Sequence, residues 1–300
     1  MSRAIEGGFA AAASPTGEWW ADLRDSLNPL VVAAAILACA LLLVALLAPV
    51  LAPFDPAQQK LLARLRPPVG FERANADYLL GTDQLGRDIL SRCIFGLRLT
   101  LALAFFGTLV ALAIGIVVGL VAGLLGGFVD DLLMGVVDLM LSLPVTLMAL
   151  LFIAIAGTQI SVLVLVLGFA YWAHFARLVR AQVIGLRDLP YVEAARAAGA
   201  TGWRIARRHM IPNMVSPIVV MATLNFSNLI LLESALSFIG LGVQPPTATL
   251  GSMVGQGRDY MASSPWIVAA PAALIVLVSL VAMLLGDFLR DRVDVRLRDR

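Results

Sequence analysis

The sequence predicts an all-α membrane protein with six transmembrane helices. Of its 300 residues, 60% are hydrophobic and only 14% are charged, which is too few charges to cover a soluble protein of this size. One stretch, from Leu99 to Val129, contains no Asp, Glu, Lys or Arg. Apolar runs of about 20 residues are long enough to cross a bilayer. Six can be placed, at Leu30 to Ala52, Leu99 to Leu125, Leu132 to Ala156, Ile160 to Val179, Met214 to Leu236 and Trp266 to Gly286.

The segment before the first span, residues 1–29, is predicted to lie in the cytoplasm. Four bulky apolar residues recur there at helical spacing among charged residues, a pattern typical of a helix on the membrane surface, although chance spacing in a tail is the alternative. The first span itself, 30–52, is longer than the apolar core of a cleaved signal peptide, so we expect it to be retained. The four apolar residues are Trp19, Trp20, Leu23 and Leu27.

The boundary between the third and fourth spans is set by a polar turn. Residues 139–176 carry no full charge, and as one helix they would be about 57 Å long, which exceeds the thickness of a bilayer. A break is therefore required, and Gly157-Thr158-Gln159 is the segment that favours a turn. Within the third span, Pro144 predicts a kink.

Three glycines in the second span, Gly115, Gly119 and Gly123, recur every four residues. This spacing places them on one side of a helix, where small residues let two helix backbones approach closely. We interpret them as a packing face for another helix. A gating hinge is the alternative.

Arginine and lysine are unevenly distributed among the loops, and this distribution predicts the orientation. Residues 177–212 contain seven Arg and the tail after Gly286 contains five, whereas 157–159 contain none and 240–265 contain one. The basic segments are expected to face the cytoplasm, which places both termini inside and the loop 53–98 in the periplasm. The loop 53–98 does not fit this orientation, because it carries seven Lys or Arg, whereas the N-terminal segment carries two.

The chain lacks the lysine that a phosphate-binding loop would need. Lys60 is the only lysine, and it lies in Pro-Ala-Gln-Gln-Lys-Leu instead of the G-x-x-x-x-G-K-[ST] pattern that cradles nucleotide phosphates. We therefore predict that this chain does not hydrolyse ATP through that motif and has no catalytic residues of its own.

Other chemistries are also disfavoured by residue type and spacing. Cys39 and Cys93 form no C-x-x-C pair, and His174 and His209 are too few for a histidine-rich metal site, so no metal is predicted. A membrane-embedded hydrolase would need a Ser and His pair or an H-E-x-x-H helix, neither of which is found. A secondary transporter, the remote alternative, would show an inverted repeat or several charges at mid-membrane. No nucleic-acid partner is predicted.

Residues 188–212 are predicted to form two short helices joined at a glycine. Pro190 suits a first helical position, and the alanine-rich run after it has high helix propensity. Gly199 can adopt the left-handed conformation that ends a helix, and Thr201 can cap the next one. We expect Pro212 to end that second helix. The second helix presents Arg204, Arg207 and Arg208 along one side.

This segment resembles a known motif. Glu193-Ala194-Ala195, then Gly199, then Ile211-Pro212 are similar to the EAA loop of ABC importer permeases. Three further stretches resemble the second permease of the dipeptide, oligopeptide and nickel importers. They are Leu80 to Arg92, Ala235 to Thr247 and Leu285 to Asp291.

The resemblance implies a type I ABC importer permease fold in a bacterial inner membrane. It implies a core at 99–289, a coupling loop at 188–212 and a cytoplasmic tail at 290–300. The solute would be a di- or oligopeptide, with a nickel chelate or a glutathione-like molecule as alternatives. The implied partners are a homologous permease, two nucleotide-binding ATPase subunits, a periplasmic or lipid-anchored solute-binding protein and membrane lipid. ATP and Mg would bind the ATPases, with no cofactor on this chain. The residues implied to dock the ATPase are Glu193, Ala194, Ala195, Gly199, Ile211 and Pro212.

Four polar residues fall inside apolar spans, where a charge at the bilayer centre costs at least about 2.5 to 3.5 kcal/mol. Glu233 is near the outer end of the fifth span, with Asn225 and Asn228 close to it in sequence. We expect these three either to line the translocation path or to make hydrogen bonds between helices. Asp138 is near the inner end of the third span, where we expect it to pair with an Arg of the coupling loop, and a place on the translocation path is the alternative.

Overall fold

The computed structural model describes residues 29–298, with side chains as far as Arg292. Apart from one isolated bridge between Thr82 and Asp88, the regular structure in this range is helical. The surface helix expected within residues 1–29 lies almost wholly outside the described residues. Besides short helical turns at Ala48–Leu51, Leu61–Ala63, Ala206–Met210 and Arg258–Tyr260, the helices are α1 (Pro29–Leu46), α2 (Ile89–Leu125), α3 (Gly127–Ser142), α4 (Val145–Ala156), α5 (Ile160–Arg187), α6 (Pro190–Ala197), α7 (Gly202–Ile205), α8 (Ile211–Phe238), α9 (Leu250–Gly257) and α10 (Trp266–Arg298).

Five helical stretches are long and apolar enough to cross a membrane within the described range: α1, α2, α5, α10 and the continuous run Gly202–Phe238. The expected third span, Leu132 to Ala156, is not a straight helix. Its two halves, α3 and α4, meet at 95°. Pro144 stands at the break, because proline disfavours helical conformation in the residue before it and clashes with the preceding turn. The count of six spans holds if this bent pair is one span.

Several helix ends differ from the predicted span limits. The helix α2 begins at Ile89, inside the predicted loop 53–98, because the Asp88 side chain caps it by accepting a hydrogen bond from Ser91 N at 2.8 Å. Likewise, α5 passes Val179 to reach Arg187, and α10 runs through the predicted tail to Arg298. Charged residues end an apolar run, but they are good helix formers and do not end the helix.

The two helices α2 and α5 lie against each other along much of their length. An added Cβ at Gly115 would lie 2.3 Å from Phe175 Cβ, and one at Gly119 would lie 2.6 Å from Ala176 O. Gly123 is as closely packed, with its nearest α5 side-chain atoms at 2.7 Å. The packing face predicted from the glycine spacing is confirmed. Since any side chain would separate the helices, this contact depends on glycine.

A cluster of buried charges fixes the loop that precedes α2. Asp83 accepts a hydrogen bond from Arg87 Nε at 2.6 Å, and its Oδ2 lies 3.1 Å from Arg92 Nη1. Both arginines donate to Gln256 Oε1 of α9 at 3.2 Å. The three charged residues are only 2 to 3% exposed. This cluster ties the loop 53–88 to the segment between α8 and α10.

Candidate functional site

The coupling loop contains a short helix, α6, whose end is formed by glycine. Pro190 occupies its first turn, as predicted. Gly199 has φ of +82°, and its N–H donates to Arg196 O at 3.0 Å while Ala200 N–H donates to Ala195 O at 3.1 Å. These two bonds are the Schellman arrangement, which needs a left-handed residue and favours glycine. The predicted helix stop at this position is confirmed.

One side of α6 is anchored and the other is free. Val192 is completely buried and packs in a cluster with Val183, Ile205 and Met210. Most remaining residues of this segment are exposed, and four of them are small. The free side is therefore a nearly flat surface that another protein can approach closely. Its exposed residues are Glu193, Ala194, Arg196, Ala197, Ala198 and Gly199.

The second helix of the loop does not end at Pro212, so that prediction is wrong. Gly202–Phe238 is one continuous run of 37 residues. A π-helical turn, Ala206–Met210, precedes Pro212, which therefore falls in the first turn of a newly registered α-helix. Proline is tolerated there, because a backbone N–H in the first turn has no partner within the helix. The predicted cap is present, since Thr201 Oγ1 accepts a hydrogen bond from Arg204 N at 3.4 Å.

The structure brings the two parts of the sequence motif together. Asn213 Nδ2 donates to Tyr191 Oη at 3.4 Å, and the Tyr191 and His209 rings lie 6.0 Å apart. Glu193 is therefore on a helix held directly against the start of α8, where Pro212 is exposed. Tyr191 and Asn213 were missed by sequence reasoning, because only the fold makes them neighbours.

A cleft of about 670 Å³ opens beside this loop. It lies between the end of α2, at Leu125, and the α6–α7 connection, with Arg187, Arg196 and Trp203 in its wall. The Trp203 side chain is 66% exposed although it is large and apolar. An exposed aromatic residue and two arginines beside a flat helix are the composition of a protein-contact surface.

The polar residues predicted in the fifth span do not share a face. Glu233 is 1% exposed and accepts a hydrogen bond from Ser237 Oγ at 2.6 Å; Thr249 Oγ1 donates to that same hydroxyl at 3.2 Å. Asn225 is buried, whereas Asn228 is exposed. Glu233 thus connects α8 with the residue that caps α9. This placement favours the expectation of contacts between helices for Glu233.

Asp138 has a different partner from the one expected. It accepts a hydrogen bond from Arg177, which belongs to α5 and not to the coupling loop. The nearby pair of Arg180 and Asp130 also joins α3 to α5, with Nη2 and Oδ2 2.6 Å apart. Because α3 runs antiparallel to α5, its acidic residues lie beside the arginines of α5 and not beside those of the coupling loop.

The described residues, 29–298, include no group of three or more His, Cys, Asp or Glu side chains that could hold a metal ion. Cys39 is exposed and Cys93 is buried, and neither is in a disulfide in this range.

The profile of the binding-protein-dependent transport system inner membrane component family matches residues 115–299. The chain belongs to this family. The profile of the N-terminal transmembrane domain of oligopeptide transport permease C matches residues 14–68 of the permease. The protein is therefore a membrane-embedded permease subunit of an ABC importer, not an enzyme, and ATP hydrolysis lies in partner subunits.

Named relatives resemble the permease over nearly their whole length. It is 39% identical to the di/tripeptide transport system permease protein DppC of Pseudomonas aeruginosa, covering 95% of this chain and 94% of that protein. It is 35% identical to the dipeptide transport system permease protein DppC of Haemophilus influenzae, covering 96% and 97%. The corresponding Escherichia coli protein is 39% identical, covering 95% and 94%.

A solved structure of the MetNI methionine ABC transporter in an inward facing conformation shares the fold. The TM-score is 0.54 at 20% sequence identity, over 68% of this chain and 95% of that chain. The expected type I ABC importer permease fold is thereby confirmed.

Proposed function

We propose that this permease forms, with a homologous permease subunit, the translocation path for di- or oligopeptides delivered by a solute-binding protein. The observation that carries the proposal is 35 to 39% identity, over nearly full length, to permeases named for dipeptide or di/tripeptide transport. No observation favours a nickel chelate or a glutathione-like solute.

The free side of α6 is the surface that would enter a groove of an ATPase subunit. Glu193, Ala194, Ala195 and Gly199 belong to this segment, and Val192 fixes it to the membrane domain from the other side. Two ATPase subunits would carry ATP and Mg, one for each permease, and this chain would bind no cofactor. The flat alanine surface supports close approach of a partner backbone.

The continuous helix Gly202–Phe238 offers a mechanical route from the ATPase to the membrane. It is about 55 Å long and includes both the end of the coupling loop and the fifth span. Since Tyr191 of α6 contacts Asn213 of this helix, displacement of α6 would move the span with it. Closure of the ATPase subunits would in this way switch the translocation path from inward-facing to outward-facing.

We infer that the coupling loop and both termini face the cytoplasm and that the loop 53–88 faces the periplasm of a bacterial inner membrane. The arginine-rich coupling loop supports this orientation. Two of the seven basic residues in the opposing segment, Arg87 and Arg92, are buried against Asp83. Because both arginines are buried inside the protein and Asp83 offsets one of their two charges, the segment exposes fewer basic groups than the raw count of seven suggests.

The docking proposal is tested by co-purification of the permease with its candidate ATPases. Glu193→Arg and Gly199→Asp change the free side of α6, and we expect both variants to lose the ATPases. Glu72→Arg is the matched control, since Glu72 is equally exposed but lies in the loop 53–88. If both docking variants keep association and solute-stimulated ATP hydrolysis, the docking proposal is wrong.

The solute proposal is tested by uptake of labelled dialanine into vesicles that contain the complete transporter and its binding protein. We expect ATP-dependent uptake by the wild-type complex. An assembled, ATP-hydrolysing complex that takes up neither dialanine nor longer peptides would contradict a peptide solute.

A further inference from the structure

The ion pair of Asp138 and Arg177 is exposed, although both residues belong to membrane-crossing elements. The Arg177 side chain is 56% exposed and that of Asp138 is 66% exposed. In the neighbouring pair, Arg180 is 33% exposed and Asp130 only 13% exposed. Arg177 lies ten residues before the end of α5, about 15 Å from that end, and close to Val179, where the predicted fourth span ends.

The exposed surface of α3 has two chemically different sides. One side carries exposed apolar residues, among them Leu132, Val136 and Leu139, as expected of a surface in contact with lipid. About a quarter-turn away, at spacings of four, three and four residues, lies a side with no large apolar residue. Its members, all exposed, are Asp131, Gly135, Asp138 and Ser142.

The helix α5 exposes only polar or small residues along the corresponding stretch. Between Val166 and Arg187 it has no exposed large hydrophobic side chain. The residues that do reach the surface there include Arg177, Ala181 and Gly185, with His174 half-buried one turn before. Together with the polar side of α3, they form one polar face, defined by Gly135, Asp138, Arg177 and Ala181.

Lipid is an unsuitable neighbour for this polar face. A charged side chain at the bilayer centre costs at least about 2.5 to 3.5 kcal/mol, and ionisable residues of membrane-crossing helices normally face the bundle interior or a water-filled cavity. A single polar side next to an apolar one on α3 indicates that the helix stands at the boundary between lipid and water. The polar face is therefore turned away from lipid.

We propose that this polar face lines the translocation path and that Asp138 and Arg177 bind there the charged ends of a zwitterionic peptide, an inference that rests on the proposed peptide function. A carboxylate of the solute would replace Asp138 on the planar guanidinium of Arg177, which can bind it through two parallel hydrogen bonds. The ammonium group of the solute would pair with the Asp138 carboxylate that Arg177 has released. When no solute is present, the two residues neutralise each other.

The exposure of this pair suits such an exchange. When the ion pair separates, neither charge is left buried without a partner, since both side chains are accessible to water. Every unmodified peptide carries one ammonium and one carboxylate, so a site of this kind accepts peptides with different side chains. The small residues Gly135 and Ala181 leave room beside the pair.

The aqueous nature of the polar face is tested by thiol labelling in inverted membrane vesicles that contain the complete transporter. Gly135→Cys and Val136→Cys, each in a Cys39→Ser background, place a thiol at the same depth on the two sides of α3. We expect a charged maleimide to label Cys at position 135 at least tenfold faster, because the thiolate forms only in contact with water. Equal rates would overturn the proposal.

The binding role is tested by dialanine uptake into vesicles with the complete transporter. We expect Asp138→Asn and Arg177→Gln each to lower the initial rate at least about tenfold, with the ATPases and the homologous permease still co-purifying. Arg258→Gln is the matched control, because it removes another exposed ion pair, that with Asp259 at 3.4 Å, and should stay within about twofold of wild type.

The possible outcomes separate the two proposals. Near wild-type uptake by both variants would overturn the binding site and leave the peptide function intact. Loss of the homologous permease from either variant would show that the pair is a subunit contact and would also overturn the site. Failure of the wild-type complex to take up any peptide would overturn the peptide function together with the site built on it.

Discussion

Asp83 and Arg92 form an ion pair of 3.1 Å in which the two side chains are only 5% and 2% exposed. Asp83 also forms an ion pair with Arg87, so one carboxylate pairs with two guanidinium groups. Gln256 accepts a hydrogen bond from each arginine. Burying charges in this way is tolerated only because each has a partner. The cluster explains why a stretch with the sequence Gly-Thr-Asp-Gln-Leu-Gly-Arg-Asp directly precedes a membrane-crossing helix.

We expect Asp83→Asn to destabilise the permease strongly. Loss of the carboxylate leaves two buried arginines without a counter-ion, and breaking a buried pair from one side costs about 3 to 5 kcal/mol. The measurement is the midpoint of thermal unfolding of the detergent-solubilised complex. Asp259→Asn is the control, since Asp259 forms an exposed pair with Arg258 at 3.4 Å. A similar midpoint for both variants would contradict the role given to the cluster.

Two glycine-to-alanine changes should have opposite effects on stability. At Gly115 an added methyl group would lie 2.3 Å from Phe175 Cβ, and overpacking of this kind costs about 1 to 3 kcal/mol. At Gly185, on the partner helix, a methyl group meets no atom within 4 Å, and alanine is the better helix former by about 1 kcal/mol. We therefore expect a lower midpoint of thermal unfolding for Gly115→Ala and an unchanged or higher one for Gly185→Ala.

Gly199→Ala should weaken ATPase binding without unfolding the permease. The positive φ of this residue costs alanine about 1 to 2 kcal/mol, which would disturb the end of α6. If the native end of α6 is needed for docking, the dissociation constant for the ATPase should rise about 5- to 30-fold. Gly202→Ala provides the comparison, because Gly202 has no positive φ and open space around it. Equal affinities in the two variants would argue against docking through this helix end.

Lys60 is expected to have no part in ATP hydrolysis. Its Nζ lies 5.0 Å from the centre of the Phe54 ring and 5.9 Å from that of Tyr78, which are distances of cation–π contacts. Lys60→Met in the complete complex should therefore leave the rate of ATP hydrolysis unchanged. The purified permease without its partners should show no hydrolysis, and activity that follows this chain through purification would contradict the prediction.

Replacement of Glu233 separates the two roles left open for it. Glu233→Leu removes the acceptor for Ser237 Oγ from a site that is 1% exposed, and an unpaired buried hydroxyl costs about 1 to 3 kcal/mol. We expect a lower midpoint of thermal unfolding, with Glu233→Gln closer to wild type because its amide oxygen still accepts that bond. Loss of peptide uptake by Glu233→Gln at unchanged stability would instead favour a path-lining role.

Much of the fold could be predicted from local sequence. The all-helical membrane class, the cap at Thr201, the stop at Gly199 and the packing face at Gly115 depend on residue type and spacing along one helix. Backbone conformation and hydrophobic periodicity act over one or two turns, so the sequence contains them directly. The proposed docking residues come from a resemblance to a short motif, which is also local in the chain.

The tertiary structure decided what depends on residues far apart in the chain. It showed that α3 and α4 meet at 95°, that Asp138 pairs with Arg177, and that Arg87 and Arg92 are buried. It also separated Glu233 from Asn228, which share a span but not a face. A charged residue can be recognised in a sequence, but whether it meets lipid, water or an opposite charge is set by the helix that packs beside it.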